Sequence, residues 1–184
     1  MESKTLILTI IIVITTSLPS LSFQTSSGKT PPTSTLTSSQ YKTVTRNTVQ
    51  QQFLRPHNTL RAKLRLPPLK WSSNLALYAT RWARTRLGDC KLVHSGGPYG
   101  ENLFWGSGKG WTPQDAVVAW ASEKNNYDRR TYRCMNGDCL HYTQLVWKKS
   151  LRVGCAIGLC KSGGGTFIIC NYDPPGNIVG QAPF

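Results

Sequence analysis

Residues 140–147, LHYTQLVW, decide the fold of this chain. His141 follows Cys139 closely and precedes an apolar run over residues 145–147. In a short helix, His141, Gln144 and Leu145 would lie on one face, because residues three and four positions apart are neighbours on a helix surface. A histidine in this position is either a hydrogen-bonded interior residue or part of a site. The remaining sequence bears on that choice.

The amino-terminal part of the chain predicts export. Lys4 precedes an apolar stretch over residues 6–14, and small residues follow it, so residues 1–22 are predicted to be a signal peptide. The apolar stretch is too short for a membrane-spanning helix, which needs about twenty residues. Residues 23–48 are rich in Ser, Thr and Pro and are predicted to be a flexible linker. The folded domain is then expected over residues 49–184.

The cysteine content agrees with an extracellular protein. The chain has six cysteines, and an even number in an exported chain predicts three disulfides. No CxxC spacing occurs in the sequence, so a zinc site built from thiolates is not expected. The expected location is the extracellular space.

The chain is strongly basic. It contains 22 Lys and Arg against 8 Asp and Glu, a formal net charge of +14. Such an excess attracts anionic membranes and anionic cell-wall polymers. The basic residues are spread over several elements, and an exported protein rarely meets nucleic acid, so we expect no nucleic-acid partner.

Apolar spacing and capping residues predict a mixed α+β domain. Apolar residues recur at helical spacing over residues 53–64, and further helices are predicted to start after Ser72 and after Thr112. Two strands are predicted over residues 152–160 and Gly165–Asp173, on either side of a glycine-rich turn. Helices combined with a few antiparallel strands form a layered α+β domain.

Two sequence blocks resemble a known family. LHYTQLVW and residues 167–178, FIICNYDPPGNI, are similar to the signature blocks of the CAP superfamily of cysteine-rich secretory, antigen 5 and pathogenesis-related class-one proteins. GENL at residues 100–103, HN at residues 57–58 and the six cysteines resemble the plant pathogenesis-related branch.

This resemblance implies both a fold and a disulfide pairing. The implied fold is a three-layer α-β-α sandwich with a small central antiparallel sheet. The implied pairs are Cys134–Cys139, Cys90–Cys160 and Cys155–Cys170.

The resemblance also implies a cavity lined by His57, Glu101, Glu123 and His141. The residues themselves support this grouping, because unpaired polar side chains beside apolar faces are costly and mutual pairing removes that cost. The two imidazoles could hold Zn2+ reversibly on His57 and His141, with the carboxylates orienting the rings. A purely structural hydrogen-bonded network and an acid–base hydrolase are the alternatives. Because the sequence offers no evident nucleophile, we do not expect an enzyme.

The function implied by the plant branch is defence through lipid binding. The expected partners are sterols or membrane lipids of microbes, bound by a secreted, monomeric protein. The candidate lipid contacts are the aromatic residues of the glycine-rich stretch 94–111, because sterol sites are apolar pockets with few polar groups. These aromatic residues are Tyr99, Phe104, Trp105 and Trp111. The alternative is a precursor that releases residues 174–184 as a defence peptide.

Overall fold

A computed structural model of the chain describes residues 38–161 and 164–184, with side chains from residue 49 onward. The predicted signal peptide and residues 23–37 of the predicted linker lie outside the described residues. The first helix begins at Ser38, so residues 38–48 of the predicted linker are helical. The physical reason is local, because no Pro or Gly interrupts the sequence between Ser38 and Arg55.

The predicted helix starts after Ser72 and Thr112 are confirmed. The hydroxyl oxygen of Ser72 accepts a hydrogen bond from the Leu75 backbone N–H at 3.4 Å. Thr112 and Asp115 form a reciprocal capping box, and Pro113 occupies the first helical turn. The helices of the described chain are α1 (Ser38–Lys63), α2 (Ser73–Arg86), α3 (Pro113–Ser122) and α4 (Leu140–Leu145).

The strands form a central sheet and a separate small hairpin. In chain order, they are β1 (Lys70–Trp71), β2 (Gly100–Ser107), β3 (Tyr127–Asp128), β4 (Arg133–Cys134), β5 (Arg152–Leu159) and β6 (Gly165–Asp173). The sheet has the order β1-β5-β6-β2, and β3 pairs with β4. β5 runs antiparallel to β6, as predicted. β2 also runs antiparallel to β6, whereas the short pairing of β1 with β5 is parallel.

Helices cover both faces of this sheet. Alternate residues of β6 point to opposite sides, so Phe167 and Ile169 pack with Ala79 and Ala83 of α2. On the other face, β6 contributes to a core that includes residues of α1, α3 and α4. The principal members of that core are Phe53, Val117, Trp120, Leu145, Ile168 and Tyr172. The protein is therefore a three-layer α-β-α sandwich, as the resemblance implied.

Three disulfides join the described elements, with the implied pairing. Cys90–Cys160 links the segment after α2 to the end of β5. Cys134–Cys139 closes the loop that precedes α4, and Cys155–Cys170 links β5 to β6. None of the helices in the described part of the chain is long and apolar enough to span a membrane.

A buried arginine fixes α1 against the segment that begins with α4. The Arg61 guanidinium donates hydrogen bonds to the carbonyl oxygens of Leu145 at 3.0 Å and Trp147 at 2.9 Å. It also donates to the carbonyl oxygen of Ser150 at 3.0 Å. Burial lowers the pKa of Arg61 to about 10, so the side chain remains charged at neutral pH. Of these three carbonyl groups, that of Leu145 lies at the carboxyl end of α4, where helix carbonyls have no partner within the helix.

Candidate functional site

Several candidate site residues line a cleft of about 430 Å³. One wall is formed by the glycine-rich loop that leads into β2, and the opposite wall is formed by α4 and the carboxyl-terminal segment. The polar and aromatic side chains that line the cleft include His94, Tyr99, Glu101, Asp138, His141 and Asn177.

His141 and Glu123 form the first pair of this site. His141 Nδ1 lies 2.6 Å from one carboxylate oxygen of Glu123, and the His141 backbone N–H donates to the other oxygen at 3.0 Å. The ring of Trp120 stacks on the imidazole, with 6.3 Å between the ring centroids. Since Glu123 follows α3 directly and His141 lies in the first turn of α4, the pair connects the two helices. The structure thus places Glu123 against His141, and of the two only His141 lines the cleft.

His94 and Glu101 form the second pair. His94 Nδ1 lies 2.8 Å from Glu101 Oε1, which also accepts from the Ser95 backbone N–H at 2.9 Å. The side-chain amide of Asn171 donates to Glu101 Oε2 at 3.0 Å. Burial raises the pKa of Glu101, but the hydrogen bonds from His94, Ser95 and Asn171 outweigh it and hold that pKa below its usual value. The bond to Glu101 also raises the pKa of His94.

The prediction that His57 lines the cavity is wrong. His57 is fully buried in the core, and its Nδ1 donates to the Phe53 carbonyl oxygen at 2.7 Å. Nε2 then accepts from the Tyr172 hydroxyl at 2.8 Å. Burial lowers the pKa of His57 to about 4, so the ring is neutral and both nitrogens are occupied. Helical spacing placed His57 correctly on an inward face, but that face packs into the core and not into the cleft.

The histidine that sequence reasoning missed is His94. It lies seven positions before Glu101, within the same glycine-rich stretch, and its side chain is 62% exposed. The feature of the sequence that could have indicated His94 is its short separation from Glu101 in an irregular segment. The structure therefore contains two carboxylate–imidazole pairs. His94, Glu101 and His141 line the cleft, and Glu123 is bound to His141 without lining it.

The two pairs leave Nε2 of each imidazole for a ligand, because Nδ1 is held by a carboxylate in both. Histidines that bind metals commonly have this arrangement. Among the described residues, no cluster of three or more His, Cys, Asp or Glu side chains could hold a metal ion. The candidate metal ligands in the cleft are therefore His94 and His141, and the described residues do not form a closed structural zinc site.

The four predicted lipid-contact residues do not form one patch. Phe104 is half-buried and packs edge-on against Trp111, with 5.3 Å between ring centroids, while Trp105 is exposed. Consecutive residues of β2 point to opposite faces of the sheet, so Phe104 and Trp105 lie on opposite sides. Tyr99 packs against Tyr78 at the wall of the cleft.

A larger cavity lies between α1 and α3, as a groove of about 1000 Å³. Both helices contribute apolar side chains to it, and basic and amide side chains stand at its margins. The residues that line the groove include Arg55, Leu60, Lys63, Val117, Val118 and Ala121. Sequence analysis did not predict this groove, because its two walls are more than fifty residues apart in the chain.

Comparison with known proteins identifies the family. The cysteine-rich secretory protein family, CAP, matches residues 54–172. This chain belongs to the CAP family. Pathogenesis-related protein PR-1 of Medicago truncatula is 51% identical over 136 residues, covering 73% of this chain and 79% of the relative. Pathogenesis-related protein 1 of Arabidopsis thaliana is 50% identical over 134 residues, covering 73% of this chain and 81% of the relative.

Solved structures of CAP proteins have the same fold. Schistosoma mansoni venom allergen-like protein 4 superposes with a TM-score of 0.58 at 26% sequence identity. The match covers 72% of this chain and 90% of that protein.

The carboxyl-terminal segment of this CAP protein, residues 174–184, is held by hydrogen bonds to residues 144–150. The Lys148 backbone N–H donates to the Pro183 carbonyl oxygen at 2.7 Å, and the Ser150 hydroxyl donates to the Pro174 carbonyl oxygen at 2.8 Å. The Gly176 backbone N–H donates to Gln144 Oε1 at 2.9 Å. Gly176 and Asn177 also line the cleft, so residues 174–184 form part of its wall.

Proposed function

We propose that this CAP protein is a secreted plant defence protein of the pathogenesis-related class-one type, which acts by binding a sterol or a fatty acid. Similarity to plant pathogenesis-related proteins supports the defence assignment. The three disulfides agree with secretion. The observation that supports lipid binding is the groove between α1 and α3.

The groove suits a ligand with a long apolar body and one polar end. Leu60, Val117 and Val118 provide apolar walls, and the groove is at the upper end of the usual volume range for small-molecule sites. Arg55 and Lys63 are basic residues at its margin and could bind a hydroxyl or carboxylate head group. A sterol and a fatty acid share this chemistry.

The groove accounts for lipid binding better than the aromatic stretch does. Phe104 and Trp105 lie on opposite faces of the sheet and cannot both contact one sterol. Trp111 is engaged through its indole N–H, which donates to the Ser107 carbonyl oxygen at 2.7 Å. We therefore assign the lipid to the helices and leave the aromatic residues as packing and surface residues.

Titration with a fluorescent sterol and a fluorescent fatty acid tests this proposal. Val118 is 57% exposed, so Val118→Asp places a carboxylate in the groove without opening the core. We expect affinity to fall at least about tenfold, because a charge in an apolar site is costly to desolvate. Leu151 is 46% exposed outside the groove, and Leu151→Asp is the matched control, with unchanged affinity expected.

Three results would contradict the groove assignment. They are equal losses in the two Asp variants, full affinity in Val118→Asp, and a larger loss of affinity in Trp105→Ala than in Val118→Asp. Comparing the two probes identifies whether the sterol or the fatty acid is the preferred ligand.

We propose reversible Zn2+ binding by His94 and His141 as a second function, supported by the two carboxylate–imidazole pairs. When bound, Zn2+ would act as a Lewis acid in the cleft. Zinc calorimetry should show weakened binding in His94→Gln and unchanged binding in His57→Gln. Because Glu101 raises the pKa of His94, zinc affinity should fall as the pH drops through that raised pKa. Equal affinity in wild type and His94→Gln would exclude this site.

A further inference from the structure

The outer face of α2 combines aliphatic and basic side chains. Leu77, Arg81 and Arg84 are exposed and follow one another at helical spacing, so they lie along one face of the helix. The opposite face of α2 contributes Leu75, Ala79 and Ala83 to the core. The arginines are therefore held on a helix that is fixed to the sheet.

The loop after α2 extends this face. The Trp82 indole N–H donates to the Val93 carbonyl oxygen at 3.0 Å, and the Tyr78 hydroxyl donates to Ser95 Oγ at 3.2 Å. These bonds place residues 91–95 alongside the helix. Exposed fractions are 50% for Leu77, 54% for Leu92 and 46% for Val93. We call the surface formed by Leu77, Arg81, Arg84, Lys91, Leu92 and Val93 the α2 face.

The α2 face has an excess of positive charge. Residues 73–93 contain four basic side chains and one acidic side chain, Asp89, which forms an ion pair with Arg86. The neighbouring carboxylate of Glu101 is only 5% exposed and is bound to His94 and Ser95. The positive charges of Arg81, Arg84 and Lys91 are therefore exposed to solvent, and no carboxylate within residues 73–93 neutralises them.

We propose that the α2 face docks the protein on an anionic phospholipid bilayer. Arginine guanidinium groups bind head-group phosphates, and exposed aliphatic side chains enter the boundary between head groups and acyl chains. An acidic polysaccharide would use the basic residues but not Leu77, Leu92 and Val93. A second copy of the chain would present the same positive charge and be repelled.

This inference rests on the proposed lipid function only for the choice of partner. α2 covers one face of the sheet, and the groove lies between helices on the other. Docking on a membrane and binding of a lipid in the groove are therefore separate measurements on separate surfaces. Failure of one leaves the other unaffected.

Co-sedimentation with vesicles tests the docking surface. The probes are vesicles of phosphatidylcholine alone and vesicles that also contain phosphatidylserine, and binding is expected for the second kind. The Arg81→Gln/Arg84→Gln variant should bind about thirtyfold more weakly, because it lacks two basic residues that each strengthen binding to an anionic surface. The matched control Arg130→Gln/Arg133→Gln removes the same charge from the β3–β4 hairpin and should change affinity less than about threefold.

A second variant tests the aliphatic contribution with the charge unchanged. Leu77→Gln/Val93→Gln should reduce vesicle affinity about tenfold, while its circular dichroism and groove-lipid affinity stay at wild-type values. Equal losses in the two arginine variants would show non-specific charge attraction and overturn the proposal. Full vesicle affinity in Leu77→Gln/Val93→Gln, or tighter binding to polygalacturonate than to the anionic vesicles, would overturn it as well.

Discussion

The three histidines of this chain differ in the environment of their ring nitrogens. His94 and His141 each face a carboxylate at the cleft, whereas His57 contacts a backbone carbonyl and a tyrosine hydroxyl inside the core. The same residue type is therefore a candidate ligand in two places and a structural residue in the third. Burial is the property that separates them.

His57 makes the protein sensitive to acid. Burial holds its pKa at about 4, below the usual 6.5. Between these two pKa values the unfolded chain binds a proton that the folded protein does not, so the free energy of unfolding falls as the pH decreases through this window. The expected loss is about 3 kcal/mol. Urea unfolding measured from neutral pH down to about pH 4 checks the expectation.

Two variants distinguish the effect of His57 on acid stability from that of the cleft histidine His94. His57→Gln should remove most of the acid-side loss. In contrast, the pKa of His94 is raised, so its stabilising contribution is complete at low pH and is lost as the pH rises. His94→Gln should therefore keep the acid-side loss. An acid-side loss that persists unchanged in His57→Gln would contradict this account.

Three of the four residues in the two carboxylate–imidazole pairs, namely Glu101, Glu123 and His141, were predicted from the sequence through the resemblance to the CAP superfamily. His141 also lies beside an apolar run in the sequence, and the structure pairs it with Glu123. His94 could not be predicted by periodicity, because the glycine-rich stretch around it has no regular spacing. An irregular loop positions a side chain through its tertiary hydrogen bonds, and a single sequence does not contain those.

At the scale of the element, the packing of α2 on β5 depends on a glycine. A Cβ atom at Gly154 would lie 2.5 Å from the Ser72 carbonyl oxygen and 2.6 Å from the Leu75 carbonyl carbon. Both neighbours are backbone atoms at the start of α2 and cannot move independently of the helix. This close approach sets the distance between the helix and the strand.

Gly154→Ala should therefore destabilise the protein strongly. We expect the free energy of unfolding to fall by about 3 kcal/mol, through overpacking against backbone. Gly88→Ala is the control, because a Cβ there would meet nothing within 4 Å, and it should change stability by less than about 1 kcal/mol. Chemical denaturation of both variants provides the comparison, and similar midpoints would exclude the proposed contact.

Capping residues made two helix starts predictable, whereas two strands had no sequence pattern from which they could be predicted. Ser72 and Thr112 cap helix starts through hydrogen bonds to residues three positions later, so the sequence alone indicates them. β2 was not predicted, because its glycines lower strand propensity and only pairing with β6 over its whole length makes it a strand. The parallel pairing of β1 is likewise a tertiary result, since two residues show no periodicity.

At the scale of the whole molecule, the disulfides contribute unequally to stability. Cys90 and Cys160 are 70 residues apart in sequence, whereas Cys134 and Cys139 are 5 apart. A cross-link over a longer loop removes more conformational entropy from the unfolded chain. The expected contributions are about 4 kcal/mol and about 2 kcal/mol, respectively.

Paired Cys→Ser variants measure this difference. Cys90→Ser/Cys160→Ser should lower the thermal midpoint more than Cys134→Ser/Cys139→Ser does. The pairing itself could not be deduced from spacing, because six cysteines permit many combinations, and it came from resemblance to the family. A larger effect from the short loop would show that native packing, and not chain entropy, dominates.

The central claim is that lipid binds between α1 and α3. A photoreactive fatty acid and a photoreactive sterol, each cross-linked to the intact oxidised protein and mapped by mass spectrometry, test it directly. A lipid bound between these helices should cross-link to groove residues such as Leu60 and Val118, and Val118→Asp and excess unlabelled lipid should both reduce the yield. Cross-links confined to residues 99–111, or found with equal yield over the whole surface, would contradict it.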